Sequence, residues 1–260
     1  MESRMDGRKA LITGGSMGLG RAIGARFAAS GADVALVARR PEMLEEAKAE
    51  ISVQAVGKVH TYPCDVTDPK ALQAMFAQAT SDMGQVDILV NNAGTSQTGK
   101  FEDITDEVWQ SDFDLKLFAA IRLARLAFPG MKERRWGRII NVLNVGAKAP
   151  SPGGAPTAVS RAAGMALTKV LSGEGAPHNV LVNALCTGLI RSDQWVRRHK
   201  QEGTDMSFDD WLKEKGKSLP MGRYGEAEEF ANMACFLASD SGSYITGTAI
   251  NVDGGRSPVV

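Results

Sequence analysis

The residues with the clearest chemical meaning lie near the start of the chain, in the run Thr13-Gly14-Gly15-Ser16-Met17-Gly18-Leu19-Gly20. A short apolar β-type run precedes it, and a helical pattern over 21–30 follows it. Gly14 suits a tight turn, Gly18 lets backbone approach a ligand closely, and Gly20 lets helix and strand pack without a side chain between them. Strand, loop and helix together present free amides and the positive end of a helix dipole to an anion. A glycine triplet alone would mean little; in this context it points to the pyrophosphate of a dinucleotide, held by backbone from Gly14 through Ser16, Met17, Gly18, Leu19 and Gly20.

A second signal sits at the end of the next β-type run, where Ala38 is followed by Arg39 and Arg40. An acid at this place hydrogen-bonds the ribose 2′-hydroxyl of NAD, whereas a guanidinium engages a 2′-phosphate through paired, charge-assisted hydrogen bonds. The expected cofactor is NADP(H) in preference to NAD(H). The three cysteines, Cys64, Cys186 and Cys235, are widely separated. Without a Cys-x-x-Cys or Cys-His cluster they are expected to be buried thiols, with neither a disulfide frame nor a metal site.

These groups need a scaffold. The chain has 260 residues, 43% hydrophobic and 23% charged, the balance of one soluble globular domain spanning 1–260. Lys plus Arg equal Asp plus Glu at 30 each, which gives no reason to expect nucleic acid or a membrane surface as partner. The polar start over 1–7 and the lack of a long apolar run lead to an expected cytoplasmic location. Short apolar runs at 10–13, 33–38, 59–65, 88–91, 138–143, 180–185 and 249–252 alternate with amphipathic stretches. That rhythm predicts an α/β fold: a Rossmann-like, doubly wound parallel sheet of about seven strands with helices on both faces. Ligands then bind beyond the carboxyl ends of the strands. The segment 191–219, with Trp195, Met206 and Trp211, breaks the rhythm and is expected to be a mobile helical lid; a surface insertion packed on its own domain is the alternative.

Over residues 7–255 the chain resembles the short-chain dehydrogenase/reductase family. The likeness rests on the 13–20 loop, Cys64-Asp65-Val66, Asn91-Asn92-Ala93-Gly94, Asn183-Ala184 and Asp253-Gly254-Gly255. It implies that Asp65 and Val66 contact adenine, that Asn92, Ala93 and Gly94 form a ribose-adjacent turn, and that Gly188 and Ile190 lie beside the nicotinamide. It also implies hydride transfer to or from a carbon bearing oxygen. In that reaction a tyrosine moves the proton, a lysine lowers its pKa, a serine holds the substrate oxygen and an asparagine organises a water.

This chain departs from that pattern. Alignment on 137–142 places the serine position at Asn144, the tyrosine position at Thr157 and the lysine position at Arg161; alignment on Trp109 and the following helix places the asparagine position at Lys116. The only tyrosines are Tyr62, Tyr224 and Tyr244, so no change of register supplies the phenol. An aliphatic hydroxyl lacks a phenol's pKa of about 10, so Thr157 is not a replacement acid. Arg161 can still hold a ribose hydroxyl. Thr187-Gly188 stands where the family has Pro-Gly, which predicts a looser turn beside the nicotinamide.

Candidate substitutes in the cleft are Lys116, whose pKa would fall if it were desolvated beside Arg161, then Asn144, Lys148 and His199. Three functions follow as expectations. The first is an NADP(H)-binding protein with weak or absent conventional carbonyl reductase activity, a pseudoenzyme or partner subunit. The second is an active NADP-dependent oxidoreductase with a substituted proton donor, and the third is non-redox chemistry in the same pocket. A small-molecule substrate, or none, is expected. The resemblance also implies a homodimer or homotetramer, or a hetero-oligomer with an active subunit, through helices over 116–134 and 157–173. The second of these carries the small residues Ala158, Ala162, Ala163, Gly164 and Ala166.

Overall fold

Seven strands, all parallel, form one sheet in the order β3-β2-β1-β4-β5-β6-β7 in the computed structural model, which describes residues 3–260. Residues 1 and 2, part of the N-terminal segment discussed above, lie outside the described residues, as do the side chains of Asp193 and Gln194 in the 191–219 segment. The strands are β1 (Lys9–Thr13), β2 (Asp33–Ala38), β3 (Val59–Pro63), β4 (Ile88–Asn91), β5 (Gly137–Asn144), β6 (Val180–Thr187) and β7 (Ala249–Val252). Between them run α1 (Gly18–Ala29), α2 (Pro41–Ser52), α3 (Pro69–Met83), α4 (Asp106–Phe113), α5 (Ala119–Glu133), α6 (Thr157–Gly175), α7 (Asp193–Glu202), α8 (Phe208–Gly216) and α9 (Ala227–Ala238). A π-helical turn, Asp114–Phe118, joins α4 to α5.

Helices cover both faces, so the strands are apolar on both sides. Successive residues of β1 show it: Ile12 packs with Phe27, Leu36 and Phe230 on one face, while Leu11 packs with Val37, Leu89 and Leu123 on the other. Chain direction reverses its course across the sheet between β1 and β4, which opens a crevice beyond their carboxyl ends.

The boundaries differ from the sequence reading for local reasons. β3 stops at Pro63 because Asp65 turns the chain, accepting from the Thr67 amide at 3.0 Å and hydroxyl at 2.8 Å. α1 starts at Gly18, since the Arg21 amide already bonds to the Met17 carbonyl at 3.3 Å. β5 and β6 pair from Gly137↔Val180 to Asn144↔Thr187, longer than the apolar runs alone indicate. The segment 191–219 holds α7 and α8, joined through Gly203 at φ 61. Among the described residues no helix is long and apolar enough to cross a membrane.

Candidate active site

The glycine loop is built as its sequence requires. Gly14 and Gly18 have φ of 65 and 54, where a side chain is strained. Asn92 braces the loop: its Nδ2 donates to the carbonyls of Thr13 at 2.9 Å and Gly14 at 3.2 Å. The Thr13 hydroxyl accepts from the amides of Asn92 and Ala93, both at 3.0 Å, and donates to the Val90 carbonyl. β1 and β4 are thereby locked together at the crevice. A Cβ on Gly20 would lie 2.1 Å from the Gly14 carbonyl oxygen and 2.5 Å from Asn92 Nδ2, so helix and strand meet without room for a side chain. Met17 supplies no side-chain cap, and the first turn of α1 carries no acid. Its leading amides and dipole are left for an outside anion, which fits a pyrophosphate. Ser16 is buried and Leu19 packs on the core, so the loop is held from behind.

Arg39 and Arg40 are both exposed at the end of β2. Arg40 reaches back to the loop, with Nη2 3.7 Å from Met17 Sδ. Arg39 faces Asp65: burial pushes that carboxyl up, but the Thr67 hydrogen bonds and the Arg39 charge outweigh it and hold it below the usual range. Val66, next to Asp65, is buried against the second core cluster. One cation therefore flanks the loop and the other flanks the turn after β3.

Deeper in the crevice a buried ladder fixes the floor. Asn91 donates to Asn141 at 2.9 Å, and Asn141 to the Thr168 hydroxyl at 2.9 Å, which ties β4, β5 and α6 together. This places Gly94 against Arg161, whose Nη2 would be 2.6 Å from a Cβ there. Arg161 donates to the Val142 carbonyl at 2.5 Å, and its Nε is buried without a partner. Burial pulls its pKa down to about 10, against the opposing pull of Asp112.

Lys116 and Thr157 meet at the centre of the site. The π-turn carries Lys116 inward, where its ammonium pairs with Asp112 and donates to Thr157 Oγ1 at 2.7 Å. The two charged side chains are 1% and 0% exposed. Ser160 Oγ donates to the other Asp112 oxygen at 2.6 Å. Thr157 directs its one hydroxyl proton at the Gln97 carbonyl, 2.7 Å away, in preference to Asp112 Oδ1 at 3.5 Å. It accepts from Lys116 and from the Gln97 amide at 3.0 Å. One donor and two acceptors exhaust a hydroxyl, so Thr157 is fully committed to the protein. Burial lowers the Lys116 pKa and the neighbouring Arg161 adds to this, while Asp112 opposes it. Asn144 ends β5 with its Oδ1 buried and unpartnered.

The turn after β6 is anchored at Gly188. The Gly188 amide donates to the Val252 carbonyl at 3.1 Å, and a Cβ on Gly188 would lie 2.6 Å from Asp253 Cα. Lacking a side chain, Gly188 lets the end of β7 approach closely. Ile190 is buried and bridges Gly225 in parallel. In the 191–219 segment Trp195 and Trp211 pack with Leu212 and Leu219, and with Tyr224 beyond it. Trp211 Nε1 donates to Glu202 at 2.9 Å. His199 Nε2 lies 2.9 Å from the Met206 carbonyl, with its ring 5.5 Å from Trp211, so its contacts are within the 191–219 segment, tying α7 to α8. All three cysteines are buried; burial raises the Cys186 thiol despite Lys148 and Arg161, and pushes Cys64 up to about 11.

Sequence reasoning missed Asp112, Ser160 and Gln97. The four-residue spacing of Asp112 and Lys116 was a signal for an ion pair, but not for a buried one.

Comparison with known proteins gives a consistent picture. A family model described as enoyl-(acyl carrier protein) reductase matches residues 14–257. The chain is 34% identical to dehydrogenase/reductase SDR family member 4 of Homo sapiens, over 95% of this chain and 86% of that one. It is 33% identical to oxidoreductase UcpA of Escherichia coli (strain K12), over 98% and 96% respectively. The structure of L-sorbose reductase from Gluconobacter frateurii, complexed with NADPH and L-sorbose, covers 100% of both chains with a TM-score of 0.94 and 35% identity. With its loop, its sheet order and these likenesses, the chain belongs to the short-chain dehydrogenase/reductase family of oxidoreductases.

Proposed function

We propose that this protein binds NADP(H) in the family's dinucleotide site and is weak or inactive as a conventional carbonyl reductase, acting as a pseudoenzyme or as the partner subunit of an active relative. The observation that carries this reading is the saturated hydroxyl of Thr157, at the position where the family's proton donor is expected. Arg39, Arg40 and the open amides of α1 supply what a 2′-phosphate and a pyrophosphate need. A bound nicotinamide would supply the hydride; this chain's residues offer Arg161 for the ribose and no phenol for the proton. Losing a general acid costs about 100- to 10,000-fold in rate. Assembly through α5 and α6, and a cytoplasmic location, belong to the same proposal.

A second reading, an active enzyme with Lys116 as proton donor, is favoured by its pKa, pushed down by burial to about 8. It requires Thr157 to release Gln97 and relay the proton. Titration with NADPH and then NADH, followed by nicotinamide fluorescence, tests the binding half. Saturable NADPH binding tighter than NADH binding is expected, and failure of both nucleotides to bind overturns the proposal.

A further inference from the structure

Two cations of this cleft, Lys148 and Arg161, stand near the end of β6. Lys148 follows the 3-10 turn Val145–Ala147 that leaves β5. Its charge and that of Arg161 both act on Cys186, near the carboxyl end of β6. Leu143 pairs with Cys186 and Asn144 with Thr187, so these groups gather at the ends of two adjacent strands. Among the described residues neither Lys148 nor Arg161 forms an ion pair. Arg161 spends one nitrogen on the Val142 carbonyl and leaves Nε unpartnered, and Asn144 Oδ1, at the end of the same strand as Val142, is buried without a donor.

The nearby carboxylates are occupied. Asp112 is taken by Lys116 and Ser160. Asp253 accepts from the amides of Gly255 at 3.1 Å and Ser257 at 2.6 Å. The carboxylate that acts on Arg161, Asp112, is already paired with Lys116, so the guanidinium and the Lys148 ammonium leave an excess of positive charge that a ligand can offset, and a guanidinium fork matches the geometry of an oxyanion.

We propose that Lys148, with the Arg161 donors that the ribose leaves over, receives the oxyanion, carboxylate or phosphate, of a small ligand that also offers a hydroxyl or N–H to Asn144 Oδ1. The proposal rests on the reading of this cleft as the ligand site beside the dinucleotide, and it gives that ligand a negative charge. Loss of the Lys148 charge weakens the ligand about tenfold, as expected for one charge-assisted hydrogen bond.

Isotope-labelled protein titrated with acetate, and separately with inorganic phosphate, tests it by amide chemical shifts at ionic strength held constant with chloride. The titration is run with and without saturating NADPH, which would cover the loop and the arginines of β2. Saturable shifts at Asn144, Lys148 and Cys186 are expected, about tenfold weaker in Lys148→Met and restored in Lys148→Arg. Unmoved amides in β3 establish that the variants are folded. Tighter acetate assigns a carboxylate ligand, and tighter phosphate a phosphate monoester. No saturable change beyond chloride, or equal affinity in Lys148→Met, overturns the proposal. Failure of NADPH to bind is read separately and leaves the anion result standing.

Discussion

The ammonium of Lys116 donates to the hydroxyl of Thr157 at 2.7 Å, and this bond closes a buried cluster at the point where the family's proton transfer is expected. Its other anchor is Asp112, which carries no exposed side-chain surface. Asp112→Ala therefore leaves a buried cation unpaired, and a loss of about 3–5 kcal/mol in unfolding free energy is expected. Adding Lys116→Met to it should recover much of that loss. Denaturant melts of the wild type, the single variant and the double variant check this.

Arg40 lies between β2 and the glycine loop, touching Met17. Arg40→Ala should raise the NADPH dissociation constant by about 10- to 100-fold, the worth of charge-assisted bonds to a phosphate, and leave NADH unchanged. Parallel fluorescence titrations with both nucleotides decide it. Equal losses for the two would mean that Arg40 shapes the loop and does not select the cofactor.

Gly20→Ala puts a methyl 2.1 Å from the Gly14 carbonyl oxygen, against backbone that cannot rotate away. Overpacking of about 1–3 kcal/mol is expected, with α1 pushed off β1. Nucleotide affinity should fall more steeply than stability, since the phosphate loop is what moves. Affinity and melting temperature measured on the same preparation separate the two effects.

The glycine loop, Asn92 and the arginines of β2 were legible in the sequence because each acts through local geometry: a turn, a strand end, a residue following a strand. The central cluster was not. Asp112 and Lys116 share one helical turn, and such a pair normally lies on a solvated face; only the π-turn and the packing of α6 bury it. Trp195 and Trp211 carried two readings; both pack with Tyr224, which follows the 191–219 segment and whose partnership no local spacing announces. The close approach of Asp253 to Gly188 was not legible either, because the two are distant in sequence.

Glu229 gives the fold a measurable acid limb. A bidentate bond from Arg223, at 2.7 and 2.8 Å, and the Glu226 amide hold its pKa at about 2, below an ordinary 4.5. A depressed carboxyl contributes stability that is present above pH 4.5 and is lost as pH falls through about 2. Being half exposed, the pair is worth at most about 1 kcal/mol after solvent screening. Glu229→Gln should remove that part of the pH dependence of unfolding and leave the neutral-pH fold intact. An unchanged acid limb in the variant would show that other carboxylates set it.

The proposed lack of a proton donor is tested most directly by a single-turnover experiment. NADPH-saturated protein is mixed rapidly with L-sorbose and with small diketones while the reduced nicotinamide is followed. The account predicts that the nicotinamide stays reduced at the buffer rate in the wild type and in Lys116→Ala alike. Oxidation by the wild type that Lys116→Ala abolishes would contradict it and establish Lys116 as the working acid.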